Sequence, residues 1–174
     1  MGFLITAVVL LTGLGIVNLL LLLAVIRRLR EHAERLDASS TAPAELLAPG
    51  AAVPPVTAIT TDGRPLTDAD LRGTLVGFFS PTCRHCRTQR PLFIERADAE
   101  PAIAVVVDDG TADVAGDVDA LTPVARVVVC GPDDPLPRAF SVHAYPALFL
   151  VGDDGAIRWS DVDLTSMPRS AIPA

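Results

Sequence analysis

Leu75-Val76-Gly77-Phe78-Phe79-Ser80-Pro81-Thr82-Cys83-Arg84-His85-Cys86 changes character halfway along. Leu75–Phe79 is wholly apolar and bounded by turn residues, the pattern of a strand buried on both faces. After Ser80-Pro81-Thr82 the pattern predicts a helix from Cys83 to about Asp98. Pro91 lies inside it and should kink it, because proline removes one backbone bond and crowds the carbonyl four residues back. A cysteine at the start of that helix faces unpaired N–H groups and the positive end of the helix dipole. Arg84 and a protonated His85 add positive charge beside it, which tunes the pair by favouring the thiolate, the attacking species in disulfide exchange. Cys86 is one turn on. The arrangement points to a redox-active dithiol with Cys83 as exposed nucleophile and Cys86 as the more buried resolving thiol.

Other readings of the same residues are weaker. Cys-x-x-Cys is also half a zinc site, but neither a second cysteine pair nor a close histidine pair completes it, and Cys130, His143 and His32 are scattered. The expected metal complement is therefore none. Two inert buried cysteines fit poorly with the strand-to-helix position and the adjacent charges. His85 is read as a modulator, with a plain solvent-facing histidine as its bland alternative. Cys130 reads as a small apolar residue ending a strand, and His143 as a surface residue.

Further strands are expected at Val56–Thr60, ending at the turn Asp62-Gly63, at Ile103–Val107 and at Arg126–Val129. Ala147–Val151 and Ala156–Ser160 read as a hairpin around Asp153-Asp154-Gly155. Thr67 caps a short turn through Leu71, Asp113–Leu121 is a weakly amphipathic helix, and Leu136–Phe140 is one helical turn. Alternating strands and helices followed by a hairpin imply an α/β domain, a central mixed sheet with helices on both faces, over residues 53–161. Residues 162–174, with Pro168 and Pro173, read as an irregular tail that either covers one sheet face or leaves it open to a partner.

The chain has 174 residues and a net charge of −7, and its 14 basic residues are all arginine. Residues 1–37 carry +1, so the remainder carries −8 and has no basic stripe, which argues against nucleic acid. Three cysteines are too few for a disulfide scaffold. Gly2–Ile26 contains no charged residue. As a helix it would reach roughly 37 Å, against a hydrocarbon core of about 30 Å. Residues 1–26 are thus read as a transmembrane anchor. A cleaved signal peptide lacks a basic leader and a small-x-small site here, and a buried core helix would show a polar face. Residues 27–52 form a linker, charged at first and then rich in Ala and Pro.

Phe78-Phe79-Ser80-Pro81-Thr82-Cys83-Arg84-His85-Cys86, Pro91 five positions on, Tyr145-Pro146 before an apolar strand, and Asp154-Gly155 together resemble the thioredoxin superfamily. More narrowly they are similar to membrane-tethered TlpA-like proteins, including the MauD-like proteins of methylamine utilisation, over roughly residues 50–160. The resemblance implies a thioredoxin-like fold with no cofactor beyond a Cys83–Cys86 disulfide. It also implies a cis peptide before Pro146 beside the dithiol, where the backbone of Tyr145 can pair with an extended client. The implied partners are protein thiols and disulfides and a membrane or extracytoplasmic electron-transfer protein. Thr82 replaces the family's tryptophan, Gly77 stands where many members carry a buried acid that moves the resolving thiol's proton, and the last helix is missing. Arg84-His85, by likeness to strong periplasmic oxidants, suggests an oxidising bias, while similar proteins often act as reductants in cytochrome maturation, so the direction of electron flow stays open.

Two rival functions differ in class. One is a copper-holding module built on Cys83, Cys86 and His143, although thioredoxin-fold copper chaperones space their cysteines one residue wider. The other is an idle binding domain, which the intact cysteine pair disfavours. Arg27, Arg28 and Arg30 after the anchor would place the domain in the cytoplasm. The resemblance places it outside the cytoplasmic membrane, and that is the expectation adopted, since a first helix does not always obey the rule.

Overall fold

The computed structural model describes residues 46–167 and, before them, Gly2, Ile5, Gly13 and Gly15, each helical. Most of the expected anchor (1–26), most of the linker and the end of the tail lie outside the described residues. Among the described residues, no helix is long and apolar enough to cross a membrane.

Thr57–Ile59 (β1) and Pro65–Thr67 (β2) pair antiparallel as a small separate sheet. The sequence reading ended its first strand at Asp62-Gly63 and missed β2, whose three residues include a proline. A 3-10 turn follows at Asp68–Leu71, where the Asp70 carboxylate accepts from both the N–H and the hydroxyl of Thr67 at 2.8 Å. Then come Leu75–Phe79 (β3), Arg84–Ala97 (α1), Ala102–Val107 (β4), Ala115–Leu121 (α2), Arg126–Cys130 (β5), Pro135–Ala139 (α3), Ala147–Val151 (β6) and Ile157–Asp161 (β7).

The main sheet has the order β5-β4-β3-β6-β7. β3, β4 and β5 run parallel, while β6 is antiparallel to β3 and β7 antiparallel to β6. The expected mixed sheet is therefore present. β3, β4 and β6 are buried on both faces, which is why they read as unbroken apolar runs. Alternation sorts their side chains into two cores. Val76, Phe78, Val105 and Phe149 face one side, with Leu71 from the 3-10 turn and Leu136 from α3. Phe78, Phe140 and Phe149 form a triangle of rings there, with centroids 4.9 to 5.8 Å apart. Leu75, Phe79, Val106 and Leu148 face the other side, under Phe93 of α1 and Leu121 of α2.

Residues 46–53 dock on the first of these faces. Leu47 N–H donates to Phe140 O at 3.2 Å, and Ala52 bridges Ala156. On the second face the segment after β7 is ordered. It forms a 3-10 turn at Leu164–Ser166 and buries Leu164 and Met167 beside Trp159. Gln89 of α1 clamps it, donating to Asp163 at 3.0 Å and accepting the Leu164 N–H at 2.9 Å. Of the two possibilities left for that sheet face, coverage by the chain's own C-terminal segment is the one observed.

Candidate active site

The dithiol sits where β3 ends. A turn in which Cys83 N–H donates to Ser80 O at 3.2 Å reverses the chain into α1. Ser80 and Thr82 share a side-chain hydrogen bond of 3.0 Å across that turn. Cys83 is the N-cap, with extended backbone, and its sulfur accepts the Cys86 N–H at 3.1 Å. A sulfur thus occupies the place where serine or aspartate usually satisfies a free helical N–H. The assigned helix continues through Pro91 to Ala97.

None of the three cysteines forms a disulfide. Cys83 is half-buried, whereas Cys86 is only 2% exposed. The Cys86 thiol is held strongly in its protonated form, first by its hydrogen bond with Cys83 and then by burial. Of the two thiols, Cys83 is thus the more exposed and Cys86 the more buried.

The Tyr145–Pro146 peptide is cis, as the resemblance implied. The Tyr145 carbonyl lies beside the Cys83 sulfur, and the Cys83 thiol donates to it at 3.1 Å. Tyr145 packs against both cores, and burial raises its phenol above the ordinary value. Cys83, Cys86, Tyr145 and Pro146 therefore converge. Arg84 and His85 follow in the first turn of α1 and are exposed, with His85 Nδ1 3.4 Å from the Thr88 hydroxyl. His143 is exposed, and Cys130 ends β5 half-buried.

Among the described residues, no three His, Cys, Asp or Glu side chains stand close enough to hold a metal ion. The copper reading needed His143 to join both sulfurs, and the fold does not bring it there. A cleft of about 410 Å³ lies between Asp70, Thr74, Pro101 and Ala125. It is at the N-terminal ends of β3, β4 and β5, the opposite end of the sheet from the dithiol.

The sequence reading named Gly77 only as the place of a missing acid and gave Gln89 and Arg90 no role. Gly77 lies beneath the site, and a Cβ there would stand 2.7 Å from ring carbons of both Phe79 and Phe93. The two rings take the space that a side chain would need, so the absence of an acid at this position has a packing cause. Arg90 pairs with Asp117 of α2, and both are largely buried. Gln89 holds the C-terminal turn, as described above. Helical spacing from Cys86 was the available signal for Gln89 and Arg90, at i+3 and i+4.

No protein-family model matches the chain, and no curated protein matches it. Solved structures do. The thioredoxin domain of a thiol-disulfide oxidoreductase from Bacteroides vulgatus aligns with a TM-score of 0.55 at 21% identity, covering 67% of this chain and 90% of that one. A thio-disulfide isomerase from Thermus thermophilus aligns at 0.57 and 17% identity, covering 71% and 91%. A thiol:disulfide interchange protein from Bacteroides sp. aligns at 0.54 and 22% identity, covering 66% and 82%. At such identities the likeness speaks for architecture. With its sheet order and its helix-capping dithiol beside a cis-proline, the chain has the thioredoxin-like fold of these structural neighbours.

Proposed function

We propose that this protein is a membrane-anchored thiol–disulfide oxidoreductase that exchanges disulfides with protein clients through Cys83 and Cys86. The observation that carries this reading is the position of the Cys83 sulfur. It caps α1, accepts a backbone N–H at 3.1 Å, contacts the carbonyl before a cis-proline and is accessible, while its partner thiol is buried beneath it. The site lies on the surface, away from the 410 Å³ cleft, which suits a polypeptide substrate better than a small molecule.

In the reducing direction the Cys83 thiolate attacks a client disulfide. One client sulfur leaves as a thiolate and a mixed disulfide forms on Cys83. Cys86 then loses its proton, attacks the Cys83 sulfur and expels the second client thiolate. The client gains two electrons and the pair becomes a disulfide. Oxidation of a client dithiol is the reverse. Ionisation of Cys83 removes the donor now on the Tyr145 carbonyl, freeing that oxygen for an extended client backbone. No cofactor beyond the disulfide takes part. Arg84 and His85 tune the pair toward oxidation by stabilising the reduced thiolate. A shift of about 30 mV in this two-electron couple corresponds to about 1.4 kcal/mol.

Trapping tests the reaction. Cys86→Ala should accumulate mixed disulfides with client proteins on non-reducing gels, and Cys83→Ala should accumulate none. A Cys86→Ala protein without adducts under oxidising and reducing conditions alike would sink the proposal. The uncharged run Gly2–Ile26 supports the anchor, and the family resemblance supports placing the domain outside the cytoplasmic membrane. Protease added to intact spheroplasts should then digest the domain, and full protection would reverse the orientation.

A further inference from the structure

Cys86 must ionise to attack the mixed disulfide, yet it is 2% exposed. While Cys83 is a thiol or thiolate, the largest influence keeping Cys86 protonated is its bond to that sulfur. In the mixed disulfide Cys83 no longer carries a thiolate charge. Burial then remains as the main barrier to ionisation, opposed first by a backbone hydrogen bond at Ser80 and then by the positive charge of Arg90.

The groups facing Cys86 can be taken element by element. β3 contributes only Leu75–Phe79, with Phe79 and Phe93 filling the space above Gly77, and the turn after it contributes a backbone hydrogen bond at Ser80 that favours the Cys86 thiolate. The cis-proline loop contributes Tyr145. The C-terminal turn contributes Asp163, which is engaged by Gln89 and Thr165. α1 contributes Arg90, one turn beyond Cys86. Helical side chains lean toward the N-terminus, which directs Arg90 back over the turn bearing Cys86. α2 contributes Asp117, which holds the Arg90 guanidinium in place with side-chain exposures of 21% and 13%. The charge of Arg90 acts on Cys86 in the direction that favours the thiolate.

We propose that Arg90, held by Asp117, is a positioning residue that, beside the Ser80 backbone, helps buried Cys86 become a thiolate for the resolving attack. The proton leaves to water, because arginine stays charged and only stabilises the anion left behind. Asp117 has two opposed effects. It fixes the guanidinium, and it attenuates its charge.

The inference rests on the proposed exchange reaction, and one assay separates the two. The full-length chain carrying Cys130→Ala is reduced and mixed with 5,5'-dithiobis(2-nitrobenzoate) in a stopped-flow instrument. Cys83 attack releases the first thionitrobenzoate. Cys86 attack on the resulting mixed disulfide releases the second and closes the Cys83–Cys86 bond. Release of only one thionitrobenzoate per parent chain would overturn the exchange reading itself, and a high reagent concentration that makes the first step fast separates the two phases. With two phases present, Arg90→Gln should leave the first phase unchanged and slow the second about tenfold near neutral pH. Its pH profile should move up by about one unit. Arg90→Lys should recover most of the rate, and Asp117→Asn should speed the second phase about threefold by unmasking the charge. A parental second-phase rate and pH profile in Arg90→Gln would overturn the Arg90 role. Equal slowing by Arg90→Gln and Asp117→Asn would also overturn it, since that is the signature of a purely structural link between α1 and α2.

Discussion

Replacing Gly77 with alanine should destabilise the domain by about 2 kcal/mol, although alanine is the better strand residue of the two. A Cβ at Gly77 would lie 2.7 Å from Cε2 of Phe79 and 2.7 Å from Cε2 of Phe93. Carbons in contact sit at about 3.5–4.0 Å, so the methyl group overlaps two rings by roughly 1 Å each. Neither ring has an easy escape. Both are fully buried, and they are locked edge-to-face with centroids 5.2 Å apart and planes at 76°. Relief requires turning a ring off its preferred rotamer or shifting α1. Overpacking of this kind costs about 1–3 kcal/mol. The melting temperature should fall by about 10 °C for a domain of this size. Urea unfolding can be followed through Trp159, the chain's single tryptophan, which is buried in the same core. Phe93→Leu should itself cost about 1–2 kcal/mol through the lost ring pair. It also opens the space that the new methyl needs, so the double variant should be less destabilised than the sum of the two by at least about 1 kcal/mol. Strict additivity, or a Gly77→Ala protein within about 0.5 kcal/mol of the parent, would refute the packing argument. The same geometry predicts that Gly77→Asp cannot supply a proton acceptor beneath Cys86, because the carboxylate has no room.

Two further predictions concern titration. Asp70 accepts two hydrogen bonds from Thr67 and faces Arg126 at 3.0 Å, and these hold its pKa down at about 2, from 3.8. A depressed folded-state pKa contributes stability that is complete above about 3.8 and is lost as the pH falls toward 2. Carboxyl NMR should therefore place its midpoint near 2, and Asp70→Asn should flatten the pH dependence of unfolding in that window; a midpoint at 3.8 would refute the cap. Burial pushes the Cys130 thiol up to about 12, with Asp134 adding to the effect. At pH 8 only about one molecule in ten thousand carries that thiolate. Iodoacetamide followed by peptide mass mapping should thus find Cys83 alkylated far ahead of Cys130, and similar rates would contradict this placement.

Much of the architecture was legible locally. The runs Leu75–Phe79, Ile103–Val107 and Ala147–Val151 announce strands buried on both faces because periodicity and burial are properties of short segments. The turn before Cys83 and the spacing to Cys86 likewise located the dithiol. Thr67 was read as a cap, and Asp70 supplies the accepting carboxylate three residues on. β2 was not legible: three residues containing a proline carry too little pattern, and only pairing with β1 makes them a strand. Nor was the fate of the C-terminal segment, since Gln89 reaches it across 74 and 75 positions of sequence.

The sequence by itself determined that two cysteines stand one helical turn apart at the head of a helix that follows a buried strand. Strand periodicity, turn residues and the i, i+3 spacing require no distant partner. Tertiary structure alone decided what surrounds them. The Tyr145 carbonyl meets Cys83 from 62 residues away. Two phenyl rings occupy the space over Gly77, and Asp117 reaches Arg90 from another helix. Such contacts depend on how β3, α1, α2 and the cis-proline loop close on one another, and no local pattern encodes that closure. Cys-x-x-Cys places the two sulfurs, and the packing around them sets which is exposed, which is buried and which charge lies near.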